Sequence, residues 1–266
     1  MKITIVGVGN LGGALAKRFL ESGISRDDIT LVSRDSSKTQ IIAHSLELPV
    51  RSSLQCSQDE IVIIAVKPQD ARSLEPVLVG NVPKTALILS VMAGISCSSL
   101  ESMYDHTCVA RAMPNLGVVV GESATSYFLP PELEEYRMKL ESLLRMGGPL
   151  FRVSDEKMLE VSTAVAGSGP AYICWLAEQL QASAEQHGFD SKEARKLVLQ
   201  TLKSTLSYLE NSGENFVSLR QKVTSPNGTT ARAFSVLEDS NTTTVLAKAI
   251  DAARARATEL AKTRSS

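Results

Sequence analysis

The order of a strand, a cluster of glycines and a helix at the start of the chain restricts its fold more than any other feature. Ile3-Thr-Ile-Val6 is apolar and runs straight into Gly7-Val8-Gly9-Asn10-Leu11-Gly12. A G-x-G-x-x-G string arises often by chance, but between a strand and a helix it has a mechanical reason. Gly7 allows a tight turn, Gly9 leaves no side chain between the backbone and a pyrophosphate, and Gly12 lets helix and strand pack closely. From Asn10 onward Leu11, Ala14, Leu15, Arg18 and Phe19 recur at helical spacing, and Gly23 stands where that helix should end. The amides and positive dipole end of such a helix face bound phosphates. The competing reading is a glycine-rich β-α turn in some other α/β protein.

Ile29 to Val32 reads as a second short strand, where an NAD-preferring site usually places Asp or Glu to accept from the ribose hydroxyls. The chain instead has Ser33-Arg34-Asp35. Arg34 offers a planar fork to a 2′-phosphate, Ser33 a hydroxyl and Lys38 further charge, so NADPH is expected to be preferred, with NADH also admitted. Asp35 complicates this, since a carboxylate there could serve an NAD ribose. The plain alternative for Arg34 is a solvated surface arginine.

The 266 residues suffice for two domains, and 43% apolar content for their cores. With 28 Lys plus Arg against 29 Asp plus Glu, nothing in the overall charge points to nucleic acid or an anionic membrane. No apolar run is long enough to span a bilayer. Cys56, Cys97, Cys108 and Cys174 lack metal-ligand spacing, so no metal is expected. No secretory signal precedes Lys2, and reduced thiols in the cytoplasm are the expectation.

The first half alternates strand and helix signals, as a doubly wound, mainly parallel sheet should. Ile61 to Val66 and Ala86 to Val91 look like buried parallel strands, and further strands are predicted at Val109 to Met113, Ser123 to Phe128 and near Phe151, with a helix from Glu132 to Arg145. From Glu156 the strand signals vanish. Helical patterns run from Pro170 to Gln186, Ser191 to Glu210, Thr229 to Asp239 and Thr242 to Lys262. These patterns divide the chain into an α/β Rossmann-like, dinucleotide-binding domain, 1–154, and an all-α helical substrate and dimerisation domain, 155–266. Gly167-Ser-Gly169-Pro170 reads as a break between two helices. Ala171, Ile173, Leu176, Ala177 and Leu180 leave much of one helix apolar, which a lone helical domain of this size could hardly bury, so a homodimer through this half is expected.

Three segments follow predicted strands and should border the nicotinamide end of a cofactor: Ala65-Val66-Lys67-Pro68-Gln69, Val91-Met-Ala93-Gly94 and Arg111-Ala-Met-Pro-Asn115. A fourth, Val223-Thr-Ser-Pro-Asn-Gly-Thr229-Thr230, lies between helices. Its last residues open a helix, so free N–H groups there make a carboxylate site, unless a hydroxyl such as that of Thr229 merely caps the helix.

Together with Gly7 to Leu15 and Gly167 to Tyr172, these blocks occur in register over nearly the whole chain, and the sequence resembles the pyrroline-5-carboxylate reductase family. The resemblance implies a Rossmann domain followed by helices, interlocked dimers that can assemble into decamers, and reduction of 1-pyrroline-5-carboxylate to L-proline by NADPH or NADH, the last step of proline biosynthesis. Residue by residue it implies that Gly7, Val8, Gly9, Asn10, Leu11, Gly12, Ser33, Arg34, Ala65, Val66, Lys67 and Pro68 contact the cofactor, with Ala93, Gly94 and Asn115 near the nicotinamide. Thr229 and Thr230 would hold the substrate carboxylate, and Glu156 would lie near the substrate, across the dimer. The bland reading of Glu156 is a solvated glutamate at a helix start. Three departures stand out: Leu116 replaces a common threonine, Asn227 a usual glycine, and Lys203-Ser204 a stretch that often contains glycine. The first bears on the nicotinamide end and the second on the carboxylate loop, although Asn tolerates left-handed backbone best after glycine.

No dedicated acid stands out, since His44, His106 and His187 lie in unremarkable segments. Positioning is therefore expected to dominate, with the Thr230 hydroxyl as the catalytic group orienting the ring nitrogen or relaying a proton to it. The alternatives are a β-hydroxyacid dehydrogenase, for which none of Lys157, Lys192, Lys196, Lys203 and Lys222 sits in the required motif, and a nonenzymatic NADPH sensor.

Overall fold

The computed structural model describes residues 1–266 apart from 34–36, 55, 57–59 and 263–266. Among the described residues eight strands form one sheet: β1 (Ile3–Val6), β2 (Ile29–Val32), β3 (Val50–Arg51), β4 (Ile61–Ile64), β5 (Leu87–Ser90), β6 (Val109–Met113), β7 (Thr125–Phe128) and β8 (Leu150–Arg152), in spatial order β3-β2-β1-β4-β5-β6-β7-β8. All neighbours are parallel except β6 and β7. Every residue of β1, β4, β5 and β6 is buried. That is why those strands read as continuous apolar runs rather than alternating ones: both faces of a covered parallel sheet lie against other layers. The order reverses between β1 and β4, opening the crevice at their carboxyl ends where such sheets take ligands.

Along the chain the α-helices are α1 (Asn10–Glu21), α2 (Ser37–Leu46), α3 (Glu75–Leu78), α4 (Cys97–Tyr104), α5 (Arg137–Leu144), α6 (Met158–Ser162), α7 (Gly169–Gln186), α8 (Ser191–Ser212), α9 (Phe216–Lys222), α10 (Thr229–Asp239) and α11 (Thr242–Lys262). One apolar cluster joins Leu15, Ala16 and Phe19 of α1 to Ile3, Ile5 and Leu31. A second joins Leu100 and Tyr104 of α4 to Val62, Ile64 and Ile88. The two clusters take alternate residues of β1 and β4, so they are the two faces of a doubly wound sheet.

Two compact units result, 1–168 with 252–266, and 169–251. The first holds the whole sheet; the second is entirely helical. No helix of the described residues is long and apolar enough to cross a membrane.

The structure adds to the sequence reading in three places. Gly167 to Pro170 does separate two helical elements, and the first of them ends as a π-turn at Thr163–Gly167, closed by Ser168 N–H donating to Thr163 C=O at 2.9 Å, before α7 begins at Gly169. Pro170, in the first turn of α7, is tolerated because no intrahelical donor is needed there. The helix expected from Glu132 begins as a 3₁₀ segment, Pro131–Tyr136, bent at Leu133, and turns α-helical at Arg137. His106 is a structural residue, 3% exposed, with Nε2 donating to Ala86 C=O at 2.8 Å.

Burial holds the His106 pKa below the ordinary imidazole value of 6.5, aided by Lys84 and opposed by the Ala86 bond and Asp105. Its stabilisation is therefore complete above about 6.5 and is lost as pH falls from there toward the folded value, because the unfolded chain protonates first. Thermal melts of wild type should lose Tm over that interval more steeply than melts of His106→Gln. Parallel curves would remove His106 from the acid response.

Candidate active site

The glycine turn is built from steric necessity. Gly7 has φ +101°, and a Cβ on it would lie 2.6 Å from Val66 Cγ1 and 2.8 Å from the Ala65 carbonyl carbon. A Cβ on Gly12 would lie 2.0 Å from the Gly7 carbonyl oxygen and 3.3 Å from Ala65 Cβ. By contrast, nothing stands within 4 Å of a Cβ on Gly9. Gly7 and Gly12 thus close the strand-to-helix turn, while Gly9 faces open space and brings no side chain to the amides of α1, which it caps. That cradle fits a pyrophosphate.

Beside it lies a cleft of about 390 Å³ lined by Gly7, Ser33, Ser52, Val66, Asp70 and Ser73, among others. The edges are held by backbone bonds: Gly7 N–H to Val32 C=O at 2.9 Å and Ala65 N–H to Val6 C=O at 2.8 Å. Ser33 Oγ is 3.1 Å from Thr39 Oγ1. Lys67 precedes Pro68, which opens a 3₁₀ helix to Leu74. Arg34 lies outside the described residues.

Further along the same sheet edge, the turn after β5 carries Met92, Ala93 and Gly94, the last at φ +74°. Asn115, just past β6, has both ends of its amide engaged: Nδ2 donates to Ala166 C=O at 3.1 Å, and Oδ1 accepts from Gly117 N–H at 2.9 Å. Each amide group keeps a further N–H or lone pair, because a primary amide has two of each.

Glu156 is not a solvated helix-start residue. Its Oε1 accepts from Arg111 Nη1 at 2.6 Å and from Cys97 N–H at 2.8 Å. The sequence places Arg111 in the strand Val109 to Met113 and in the motif ending at Asn115 but gives it no role, yet it is among the largest fully buried side chains. A charged residue in the middle of an apolar strand was the available signal. The Cys97 thiol is pushed up by burial first and by Glu156 second, which keeps it protonated and inert.

In the helical unit, Ser225 to Gly228 form a turn closed by Gly228 N–H to Ser225 C=O at 3.0 Å. Asn227 sits in it at φ +60°. Gly228 then caps α10 with no side chain bonded to the helix amides, so neither threonine closes the helix start. Ahead of this turn, Lys222 Nζ donates to Tyr208 Oη at 2.6 Å and to Glu214 Oε1 at 2.9 Å. The sequence reading missed that cluster, because its members share no short motif. Among the described residues, no group of three or more His, Cys, Asp or Glu could hold a metal ion.

A family model described as pyrroline-5-carboxylate reductase dimerisation matches residues 156–260. Pyrroline-5-carboxylate reductase 1 of Bacillus subtilis is 31% identical over 268 residues, covering 98% of this chain and 90% of that protein. The chain belongs to the pyrroline-5-carboxylate reductase family. The reductase of Aquifex aeolicus is 32% identical over 90% of the chain and 89% of its own length. A solved pyrroline-5-carboxylate reductase from Coxiella burnetii superposes with a TM-score of 0.85 at 31% identity, covering 98% of both chains. Residues 2–94 match a second model, described as NADP oxidoreductase, coenzyme F420-dependent. As a pyrroline-5-carboxylate reductase, the chain is an oxidoreductase with a Rossmann-like unit followed by helices, as its residues led us to expect.

Proposed function

We propose that this reductase converts 1-pyrroline-5-carboxylate to L-proline with NADPH as the favoured hydride donor, in the cytoplasm, as a homodimer able to assemble further. The family match over nearly the whole chain carries the reaction. NAD(P)H, when bound, supplies a hydride to the imine carbon. Gly7, Val8, Gly9, Asn10, Leu11 and Gly12 cradle its pyrophosphate, Ser33 and Arg34 its 2′-phosphate, and Ala65, Val66, Lys67 and Pro68 the neighbouring wall. Ala93, Gly94 and Asn115 border the nicotinamide. Asn115 is supported in that role by the two hydrogen bonds that fix its amide while leaving it a further donor and acceptor.

On the substrate side, the uncapped start of α10 supports Thr229 and Thr230 as the carboxylate holders. Thr230 then presents its hydroxyl to the ring nitrogen, orienting the protonated imine. Glu156 serves the substrate side through the segment it anchors. The helical region, 155–266, supplies the dimer contact. The support is the dimerisation model over 156–260 and the exposure of Ile173, Trp175 and Leu176 at 55%, 60% and 48%.

The test is loss of NADPH absorbance on adding 1-pyrroline-5-carboxylate, with NADH alongside. Wild type should turn over faster with NADPH, and Arg34→Ala should reduce the NADPH/NADH ratio of kcat/KM roughly tenfold to a hundredfold, the value of one charged hydrogen bond. An unaltered ratio refutes the Arg34 role; saturable NADPH binding without turnover refutes the reaction.

A further inference from the structure

Arg111 sits at the middle of β6, beside Ser90 of β5 and opposite Phe128 of β7, and is 2% exposed. A cation in that position is expensive to desolvate unless anions meet it. Two do: Glu156 Oε1 at 2.6 Å and Glu160 Oε1 at 3.7 Å from the same Nη1. Arg111 Nε and Glu160 Oε2 are buried without a hydrogen-bond partner. The pair is thus imperfectly satisfied, and a buried ion pair of this kind is weak evidence for stability. Its geometry has a different use.

Glu156 Oε1 also receives the Cys97 N–H, the first amide of α4. One carboxylate oxygen therefore joins β6 to the end of the turn that carries Ala93 and Gly94. From Glu156 the chain runs through α6 into the π-turn, whose Ala166 C=O accepts from Asn115 Nδ2 at 3.1 Å. The segment 156–167 is consequently tied to β6 at both ends, at Arg111 and just past the strand at Asn115. Both groups named above as bordering the nicotinamide, the Ala93-Gly94 turn and Asn115, hang from this one brace.

We propose that Arg111 is a positioning residue for the nicotinamide end of the cofactor, acting through Glu156 on the turn before α4 and on Asn115. This rests on the cofactor reading above, but not on the identity of the imine. Displacing a reacting group by about 1 Å can lower a rate by about a hundredfold even when binding survives. A brace that fixes the nicotinamide side should therefore act on the hydride step and leave the adenosine side untouched.

Glu156→Gln and Arg111→Lys test this in the full-length protein. Gln keeps an oxygen for Cys97 N–H but loses the ion pair; Lys keeps the charge without the fork. Three readouts are compared with wild type: amide exchange of the peptide containing Cys97 without cofactor, nicotinamide fluorescence of bound NADPH, and affinity for 2′,5′-ADP as a probe of the adenosine side. The proposal expects faster exchange at Cys97 and altered nicotinamide emission, with 2′,5′-ADP affinity within about twofold of wild type. In turnover, kcat of Glu156→Gln should fall roughly tenfold to a hundredfold with an enlarged isotope effect from 4-deuterated NADPH, and Arg111→Lys, which keeps the charge, should lose less. Unaltered emission and isotope effect in a folded Glu156→Gln protein would overturn the proposal. Equal loss of 2′,5′-ADP affinity would do so too, by making the brace a general structural support. If wild type fails to reduce 1-pyrroline-5-carboxylate, the substrate assignment falls while exchange and emission still decide the role of Arg111.

Discussion

Gly12→Ala should weaken NADPH binding more than a hundredfold and lower Tm at the same time. The added methyl would lie 2.0 Å from the Gly7 carbonyl oxygen, a backbone atom that cannot swing aside as a flexible side chain would. Relief requires α1 to withdraw from the turn or Gly7 to change conformation. Gly7 is itself confined, with φ +101° and Val66 and Ala65 standing where a Cβ of its own would go. Overpacking of this kind destabilises by about 1 to 3 kcal/mol, and each kcal/mol moves Tm by roughly 2 to 4 °C in a domain of this size. The phosphate cradle moves with the helix, so binding is lost beyond what stability alone explains. Gly9→Ala is the control. Its methyl meets no protein atom within 4 Å, so Tm should hold while NADPH affinity still drops, because the methyl occupies the approach to the phosphates. Calorimetric titration with NADPH and thermal melts of both variants separate the two effects. A Gly12→Ala protein with wild-type affinity would show that the close approach of helix to turn is not what shapes the cradle.

Thr230→Val should lower kcat/KM for 1-pyrroline-5-carboxylate roughly tenfold to a hundredfold, the contribution of a hydrogen bond to a charged group. Val keeps the branched shape and removes only the hydroxyl, so the backbone amides at the start of α10 stay in place. The carboxylate hold should survive, and NADPH affinity with it. Loss should therefore fall mainly on kcat, the pattern of a group that orients the ring for hydride transfer rather than one that holds it in place. Thr230→Ser, which restores the hydroxyl, should regain most of the activity. Steady-state kinetics in the imine at saturating NADPH provide the comparison. If the valine variant kept full kcat/KM, the hydroxyl would have no part in orienting the ring nitrogen.

The sheet was readable because its central strands are buried on both faces and so spell themselves as apolar runs: β1, β2 and β6 fall where the sequence places them. β3 escaped because two residues, Val50 and Arg51, leave no periodicity to read. α9 escaped for the same reason, being a single short segment that starts on Asn215, whose side chain accepts from Ser218 N–H. The glycine turn was legible in its sterics at Gly7 and Gly12, since turn chemistry is local. Asn227 was also legible: a left-handed position with a residue that tolerates it. The Arg111 brace was not. It depends on residues 14, 45 and 49 positions from Arg111, at Cys97, Glu156 and Glu160, and only the fold brings a strand, a helix start and a following helix to one carboxylate. Likewise the π-turn has no signature beyond small residues, so the sequence shows the interruption at Gly167 to Pro170 but not its form.

Asn227 carries a last consequence. Where glycine would leave the Ser225–Gly228 loop free to wander in the unfolded chain and to breathe in the folded one, asparagine narrows both ensembles. The turn is set in its left-handed shape before any anion arrives at the start of α10. An arriving carboxylate then loses less of its binding free energy to ordering the loop, and the site exchanges adaptability for readiness.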